Sequence, residues 1–275
     1  MTQNSLPVAI ETGGEKPCVA LILAAGKSTR MKSQIPKPLH KICGHPITSH
    51  VISACKQAGV SRTIVVVGHQ AAAVSEGLGN EVDYALQQIQ RGTGDAVKAG
   101  LSSLNDFDGD ILVLAGDVPL IRPESLSDLI KMHRESNCAA TLLTAVSKDA
   151  GTYGRIIRTD GKVSAIVEAK DATPEQIAVR EWNTSFYCFD CQALLRYLTK
   201  LEPNNMQGEF YLTDVIGLMS KDGLRIEASQ IFDEDEVRGV NNFVELATVE
   251  DALRTRLLDR LMLSGVRIIE PTQTF

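Results

Sequence analysis

Apolar runs at 18–25, 62–68, 84–86 and 110–115 alternate with stretches of helical spacing at 46–58, 71–78, 94–104 and 123–136. This alternation constrains the chain more than any other feature. Runs this short and this uniformly apolar are buried on both faces, and only a parallel sheet with helices on either side provides such burial. In 62–68 the four consecutive β-branched residues Ile64, Val65, Val66 and Val67 favour a strand outright. Pro123 suits the first turn of the helix over 123–136.

From 139 onward the pieces shorten to 140–146, 155–158, 163–168 and 182–189, with Asp160-Gly161 marking a hairpin turn. They read as mixed or antiparallel strands added beside the first sheet. Helical stretches at 192–201 and 211–221 and a strand at 225–229 follow. The last helix opens at Asn242 with Glu245 three residues on, a capping-box spacing. It carries Leu246, Val249, Leu253, Leu257 and Leu261 on one face up to Gly265. The expected organisation is a flexible tail over 1–17, a main α/β domain over 18–242, a helical arm over 243–264 leading away from the ligand half, and a tail over 265–275.

The chain of 275 residues carries 34 Asp and Glu against 28 Lys and Arg, a net charge of -6. That balance argues against general nucleic-acid or membrane-surface binding. Yet from Lys16 to Ser75 there is no carboxylate at all, while eight cations and four of the five histidines fall in that window. An acidic chain with one carboxylate-free stretch points to a small polyanionic ligand there. The cysteines Cys18, Cys43, Cys55, Cys138, Cys188 and Cys191 show no framework spacing. The lone C-x-x-C of Cys188 and Cys191 has no second pair, so it reads as structural. No run reaches the roughly 18–20 apolar residues of a membrane span, so a cytoplasmic protein is expected.

Ligands of open parallel sheets bind beyond the carboxyl ends of the strands. Leu23, Ala24, Ala25 and Gly26 lie at such an end, where small side chains let a ligand approach the backbone and free amides can hold phosphate. The residues match neither G-x-G-x-x-G nor the P-loop. Lys27, Arg30 and Lys37 add positive charge, although Lys37 alone reads equally well as a solvated surface lysine. Asp117 ends the run at 110–115 on the same sheet edge, either as a turn cap or as a magnesium ligand facing phosphates. Gln87, whose amide can donate and accept, precedes Gly92, Thr93 and Gly94, which serve a helix start or close approach to a base.

These residues belong to a longer series. Leu23-Ala24-Ala25-Gly26-Lys27-Ser28-Thr29-Arg30-Met31 with Pro36-Lys37, Gln87, Gly92-Thr93-Gly94, Gly116-Asp117, Tyr153-Gly154-Arg155, Glu168 with Lys170-Asp171, Asn183-Thr184, 207–214 and Gly239 with Asn241-Asn242 follow in order. Over about residues 18–265 this series resembles the uridylyltransferase domain of the bacterial N-acetylglucosamine-1-phosphate uridylyltransferases.

The resemblance implies the nucleotide-diphospho-sugar transferase fold, a Rossmann-like α/β architecture whose mostly parallel mixed sheet has helices on both faces, followed by a C-terminal helical arm. It implies that Leu23 to Gly26, with Ala115 and Gly116, contact the uridine nucleotide, that Gln87, Gly92 and Thr93 read uracil and ribose, and that Lys37 and Arg30 bind the reacting phosphates. Asp117 and Asn241 would hold Mg2+, and Gly154, Glu168 and Asn183 the acetylated amino sugar. The implied reaction joins UTP and N-acetylglucosamine 1-phosphate into UDP-N-acetylglucosamine and pyrophosphate. Two positions depart from the family: Ala115 replaces a common aromatic residue, and Ser185 stands where Asn-Thr-Gly is usual. Family members commonly continue into a left-handed β-helix of hexapeptide repeats that acetylates and trimerises. Residues 265–271 resemble its entry and the sequence stops at Phe275, so acetyl transfer and the trimer are not carried over and the oligomeric state stays open. Two other readings remain: a nucleotidyltransferase for another sugar 1-phosphate, and a non-catalytic nucleotide-sugar-binding protein.

Overall fold

A computed structural model describes residues 16–274. The first half builds a strand-helix alternation. It comprises β1 (Cys18–Leu23), the two-residue strands β2 (Lys41–Ile42) and β3 (His45–Pro46), α1 (Ile47–Gln57), β4 (Arg62–Val67), α2 (Ala71–Leu78), β5 (Asp83–Leu86), α3 (Thr93–Leu101), β6 (Asp110–Ala115) and α4 (Pro123–Ser136). The second half adds β7 (Ala140–Val146), β8 (Arg155–Thr159), β9 (Lys162–Val167), α5 (Pro174–Ile177), β10 (Glu181–Asp190), α6 (Cys191–Leu198), α7 (Asp214–Lys221), β11 (Ile226–Ile231) and α8 (Phe243–Leu263).

The main sheet runs β11-β7-β10-β6-β1-β4-β5, with β8 pairing β10 and β9. β1 lies parallel between β4 and β6, Leu23 meeting both Val66 and Ala115 in register. β10 is antiparallel to both β6 and β7, which makes the sheet mixed. Alternate residues of the central strands feed opposite cores, as a two-residue period requires. Val19, Leu21, Ile64, Val66, Ile111 and Val113 face one core with Val97, Leu194 and Val215. Ala20, Ile22, Val65, Val67, Leu112 and Leu114 face the other with Val51, Leu126 and Leu129.

Differences from the sequence reading have local causes. α3 stops at Leu101 rather than 104, where Ser102 and Ser103 turn their hydroxyls onto the carbonyls of Ala99 and Gly100 at 2.7 and 2.9 Å. α7 starts at Asp214 rather than 211, and the Thr213 hydroxyl just before it donates to Glu168 instead of capping the helix. The β2–β3 hairpin and α5 were not foreseen from hydrophobic periodicity, being too short to show any. α5 nonetheless carries a complete capping box between Thr173 and Gln176. At the β8–β9 hairpin Asp160 and Gly161 both adopt positive φ, 51° and 78°, as a type I′ turn demands.

Two larger corrections concern the ends. The expected tail over 1–17 lies outside the described residues up to residue 15, but Pro17 is part of the sheet margin, its carbonyl accepting from Asp110 N–H at 2.9 Å. The last helix does not lead away from the ligand half. Its Val249 and Leu253 pack with Met31, Ile42, Ile47, Leu120 and Val240 in a third core beneath the cationic loop. Leu246 and Leu257 sit partly buried against that core, while Leu261 is exposed. Arg254 donates to the carbonyls of Pro271 and Thr272 at 3.1 Å, holding the following segment against α8.

Candidate active site

The carboxyl end of β1 is stitched between its neighbours: Ala24 N–H donates to Val66 O at 2.9 Å, and Gly116 N–H to Leu23 O at 3.0 Å. The chain then leaves the sheet through Gly26, turns at Ser28 with φ 53°, and drops the Met31 side chain into the third core. Met31 is 1% exposed, so the short 3-10 turn of Thr29–Met31 is anchored from below while Arg30 stays exposed. A second 3-10 turn, Lys37–Leu39, is fixed by Pro36 and the buried Pro38 and carries Lys37.

Arg30, Lys37, Asp117 and Asn241 converge on one point. Lys37 Nζ donates to Asp117 Oδ2 and, at 3.1 Å, to Asn241 Oδ1; Arg30 Nη2 donates to that same Asn241 oxygen at 2.7 Å. Asp117 follows β6, and its carbonyl accepts from Val240 N–H at 2.9 Å, which draws the 239–242 segment alongside. Thr48 braces the preceding carbonyl, its hydroxyl donating to Gly116 O at 2.7 Å. Asn242 caps α8 through Val244 and Glu245 N–H, and Glu245 accepts from Asn241 N–H at 2.7 Å. The glutamate of the capping box therefore reaches one residue further back than the usual motif.

A cleft of ≈ 290 Å³ opens over this cluster, lined by Leu23, Gly26, Arg30, Lys37 and Asp117 among others. An adjoining cleft of ≈ 540 Å³ shares Leu23, Gly26, Ser28 and Thr29 and reaches Gln87, Gly92 and Thr93. Lys27 lines the second cleft, exposed and without a hydrogen bond or ion pair to any described residue.

Gln87 is 4% exposed and its amide nitrogen is spent internally, donating to Gly92 O at 3.1 Å and to Asp95 Oδ2 at 3.0 Å. Both partners are pure acceptors, so the orientation of the amide follows from them and its oxygen is left for a ligand. Gly92 adopts φ 113°, and an added Cβ would lie 2.5 Å from Phe210 O. Thr93 Oγ1 accepts from Leu212 N–H at 2.9 Å.

Gly154, Glu168 and Asn183 form a third group. Asn183 N–H donates to Gly154 O at 2.9 Å, and a Cβ on Gly154 would lie 3.5 Å from Glu168 Oε2. Glu168 Oε1 accepts from Thr213 Oγ1 at 3.0 Å. Burial pushes the Glu168 carboxyl above the ordinary carboxylate range, the Thr213 hydrogen bond opposing and Asp214 and Asp171 adding to the rise. Asn183 is itself buried, its Nδ2 donating to Tyr187 OH at 2.6 Å and its Oδ1 accepting from Ser185 N–H at 3.2 Å. Ser185 sits at the β10 bulge with φ 66°, a left-handed conformation that explains why glycine is usual there. Tyr153 links this group to the cation cluster: its ring stacks on Trp182 at 4.4 Å and its hydroxyl accepts from Gly239 N–H at 3.3 Å.

The residues picked from the sequence thus fall into three neighbouring groups, with Ala115 half-buried at the end of β6 beside them. Sequence reasoning assigned no role to Asp95, which orients Gln87, nor to Thr213 and Tyr187, which hold Glu168 and Asn183. Thr213 lay within the motif series; Tyr187 looked like any apolar strand residue. All six cysteines are free, and no group of three or more His, Cys, Asp or Glu suited to a metal occurs among the described residues.

Residues 20–203 match the family described as MobA-like NTP transferase domain. The chain is 44% identical over 257 residues, 93% of its length, to the bifunctional protein GlmU of Bacillus cereus strain G9842, and covers 56% of that protein. The protein of the same name from Bacillus thuringiensis strain Al Hakam is 43% identical over 257 residues. The chain therefore spans about half the length of the curated relatives it matches. Among solved structures, a UDP-glucose pyrophosphorylase complexed with UDP-glucose superposes with a TM-score of 0.68 at 17% identity, over 87% of this chain and 99% of that one. A putative glucose-1-phosphate thymidylyltransferase from Bacillus anthracis superposes with 0.67 at 18% identity, over 86% and 94%. The fold is that of the nucleotide-diphospho-sugar transferases.

Proposed function

Because the chain belongs to the family of MobA-like NTP transferase domains, we propose that it transfers UMP from UTP to N-acetylglucosamine 1-phosphate, giving UDP-N-acetylglucosamine and pyrophosphate. The observation that carries this reading is the meeting of Arg30 and Lys37 with Asp117 and Asn241 at one cleft, with an adjoining cleft reaching Gln87, whose amide nitrogen is spent internally. The similarity to GlmU supports it.

Gln87 offers an acceptor alone, which suits the N3–H of uracil and opposes cytosine, whose N3 is itself an acceptor. The backbone of Leu23, Ala24, Ala25 and Gly26, with Ala115 and Gly116 beside it, lies along the nucleotide, and Gly92 and Thr93 border the base and ribose. In the reaction an oxygen of the sugar phosphate bonds to the α-phosphorus of UTP, and the bond from that phosphorus to the β-phosphate bridging oxygen breaks with its electron pair going to pyrophosphate. The attacking phosphate monoester is largely ionised near pH 7, so no general base is required, in keeping with a cluster that holds no His or Cys. Catalysis is then positioning and charge neutralisation, with Lys37 on the attacking and α-phosphates and Arg30 on the departing pyrophosphate. Gly154, Glu168 and Asn183 meet the sugar, Glu168 accepting from hydroxyls and Asn183 shaping the bulge at Ser185.

Nucleotidyltransferases related to GlmU generally use a divalent metal. Asp117 and Asn241 fit one: both present hard oxygens, and the ammonium of Lys37 already lies between them where a cation is wanted. Mg2+ suits two protein oxygens completed by water and phosphate, and when bound it supplies electrostatic stabilisation of the transferring phosphates.

A panel of nucleoside triphosphates and sugar 1-phosphates, scored by pyrophosphate release, tests the proposal. UTP with N-acetylglucosamine 1-phosphate is expected to react fastest. Preference for glucose 1-phosphate overturns the sugar assignment, and comparable use of CTP overturns the reading of Gln87. Binding of UDP-N-acetylglucosamine without any turnover would favour a non-catalytic sensor.

A further inference from the structure

Of the oxygens suited to a metal, Asn241 Oδ1 and Asp117 Oδ2 are taken by the chain's own cations. Asn241 Oδ1 accepts from Lys37 and Arg30 together, at 3.1 and 2.7 Å, which uses both of its lone pairs. Asp117 Oδ2 accepts from the same Lys37 ammonium. Glu245, the next carboxylate, is turned away onto Asn241 N–H and Asn242 Nδ2 at 2.7 and 2.8 Å. Two cations against one carboxylate leave the cluster with an excess of positive charge, to which the unpaired Lys27 adds at the cleft edge. A divalent ion entering alone would meet repulsion and no free carboxamide oxygen. An entering phosphate chain reverses the sign of the site and offers both side chains better partners.

The side chains can make this exchange. Lys37 hangs from a turn clamped by Pro36 and Pro38, so its Cα stays in place while a four-carbon stem lets the ammonium swing. Arg30 is exposed, and its turn is held from below by Met31, so its guanidinium can move without disturbing the backbone. We propose that Lys37 and Arg30 occlude the metal position of the nucleotide-free protein, so that a divalent cation gains Asp117 and Asn241 only as a phosphate chain draws both side chains off. The inference rests on the nucleotidyltransferase reading and adds to it an order: the metal arrives with or after the nucleotide.

The test uses Mn2+ as a probe, titrated into nucleotide-free protein and followed by electron paramagnetic resonance of the free ion. Lys37→Met keeps the apolar stem and removes the charge, and is expected to bind Mn2+ at least about tenfold tighter than the wild type. Arg30→Met, at an exposed position that leaves folding intact, is expected to bind about threefold tighter. Adding Asp117→Asn to the Lys37→Met variant should abolish the gain, and UMP, itself a weak Mn2+ ligand, should close the gap between wild type and Lys37→Met. Unchanged or weaker Mn2+ binding in either single variant overturns the proposal. So does a gain that survives Asp117→Asn, or a gap that UMP leaves open. The titration without nucleotide is read independently of pyrophosphate release. A wild type active in release whose variants gain no Mn2+ affinity sinks the occlusion alone, and an inactive wild type whose variants do gain it sinks the reaction instead.

Discussion

Replacing Gly92 by alanine should destabilise the protein by about 2–4 kcal/mol and at the same time loosen its hold on uridine nucleotides. The residue has φ 113°, a region that costs a side-chain-bearing residue of order 1–3 kcal/mol. The new Cβ would lie 2.5 Å from Phe210 O and 2.9 Å from Phe210 N. Neither atom is free to retreat, because Phe210 N–H donates to Arg91 O at 2.7 Å and Phe210 O accepts from Gly94 N–H at 2.8 Å. Relieving the clash stretches at least one of these bonds, worth about 1 kcal/mol. For a chain of this size the sum lowers the melting temperature by about 4–7 °C. Gly161→Ala is the control: its φ is 78°, yet nothing lies within 4 Å of the added Cβ, so it carries backbone strain without the clash. Thermal melts of the two variants side by side, with UTP titrated calorimetrically into each, read both effects. Because Gly92 O is one of the two acceptors that fix the Gln87 amide, UTP affinity in Gly92→Ala should fall about tenfold. Equal melting of the two variants would refute the rigid Phe210 contact. A destabilised Gly92→Ala variant that binds UTP normally would refute the link through Gln87.

Glu168→Gln should bind the sugar phosphate less well while melting higher than the wild type at neutral pH. Burial raises the Glu168 pKa, so its contribution to stability is present below the unfolded carboxylate value of about 4.3 and is lost as pH rises through its own higher value. A scan of melting temperature against pH should show the variant's advantage vanishing in acid, and an advantage independent of pH would rule this cause out. Tyr187→Phe leaves the buried Asn183 Nδ2 without its acceptor, costing about 1–3 kcal/mol. KM for the sugar phosphate should rise with KM for UTP unchanged; equal rises in both would mean a general loosening. Met31→Ala empties the third core under Arg30 at a cost of about 2–4 kcal/mol, read by urea denaturation, and should lower kcat more than it weakens uridine binding. A loss confined to stability would show that the loop needs no support from α8.

The layered α/β fold was legible because its signals are local. The uninterrupted β-branched run at Ile64 to Val67 announces a doubly buried strand, and Asp160-Gly161 announces a hairpin, through preferences carried by neighbouring residues. α8 shows where such reading stops. Its apolar face at Val249 and Leu253 was legible, but the surface it covers, Met31 and Ile42, lies more than two hundred residues earlier in the chain. Local pattern therefore sends the arm away from the ligand half, whereas in the folded chain it supports that half.

The sequence alone determined the sheet, the small-residue turn after β1, the carboxylate-free window, and the kinds of side chain available for phosphate, base and sugar. The tertiary structure alone decided which of them meet. Lys37 reaches Asp117 and Asn241 across separations of 80 and 204 residues, because β6 lies against β1 and Val240 is bonded to the Asp117 carbonyl. It also decided what each group has left to offer. Gln87 could donate or accept in the sequence, but with its nitrogen given to Gly92 and Asp95 it can only accept. A hydrogen-bonding group has a limited number of partners, and which are already spent depends on neighbours brought together only when the chain has folded.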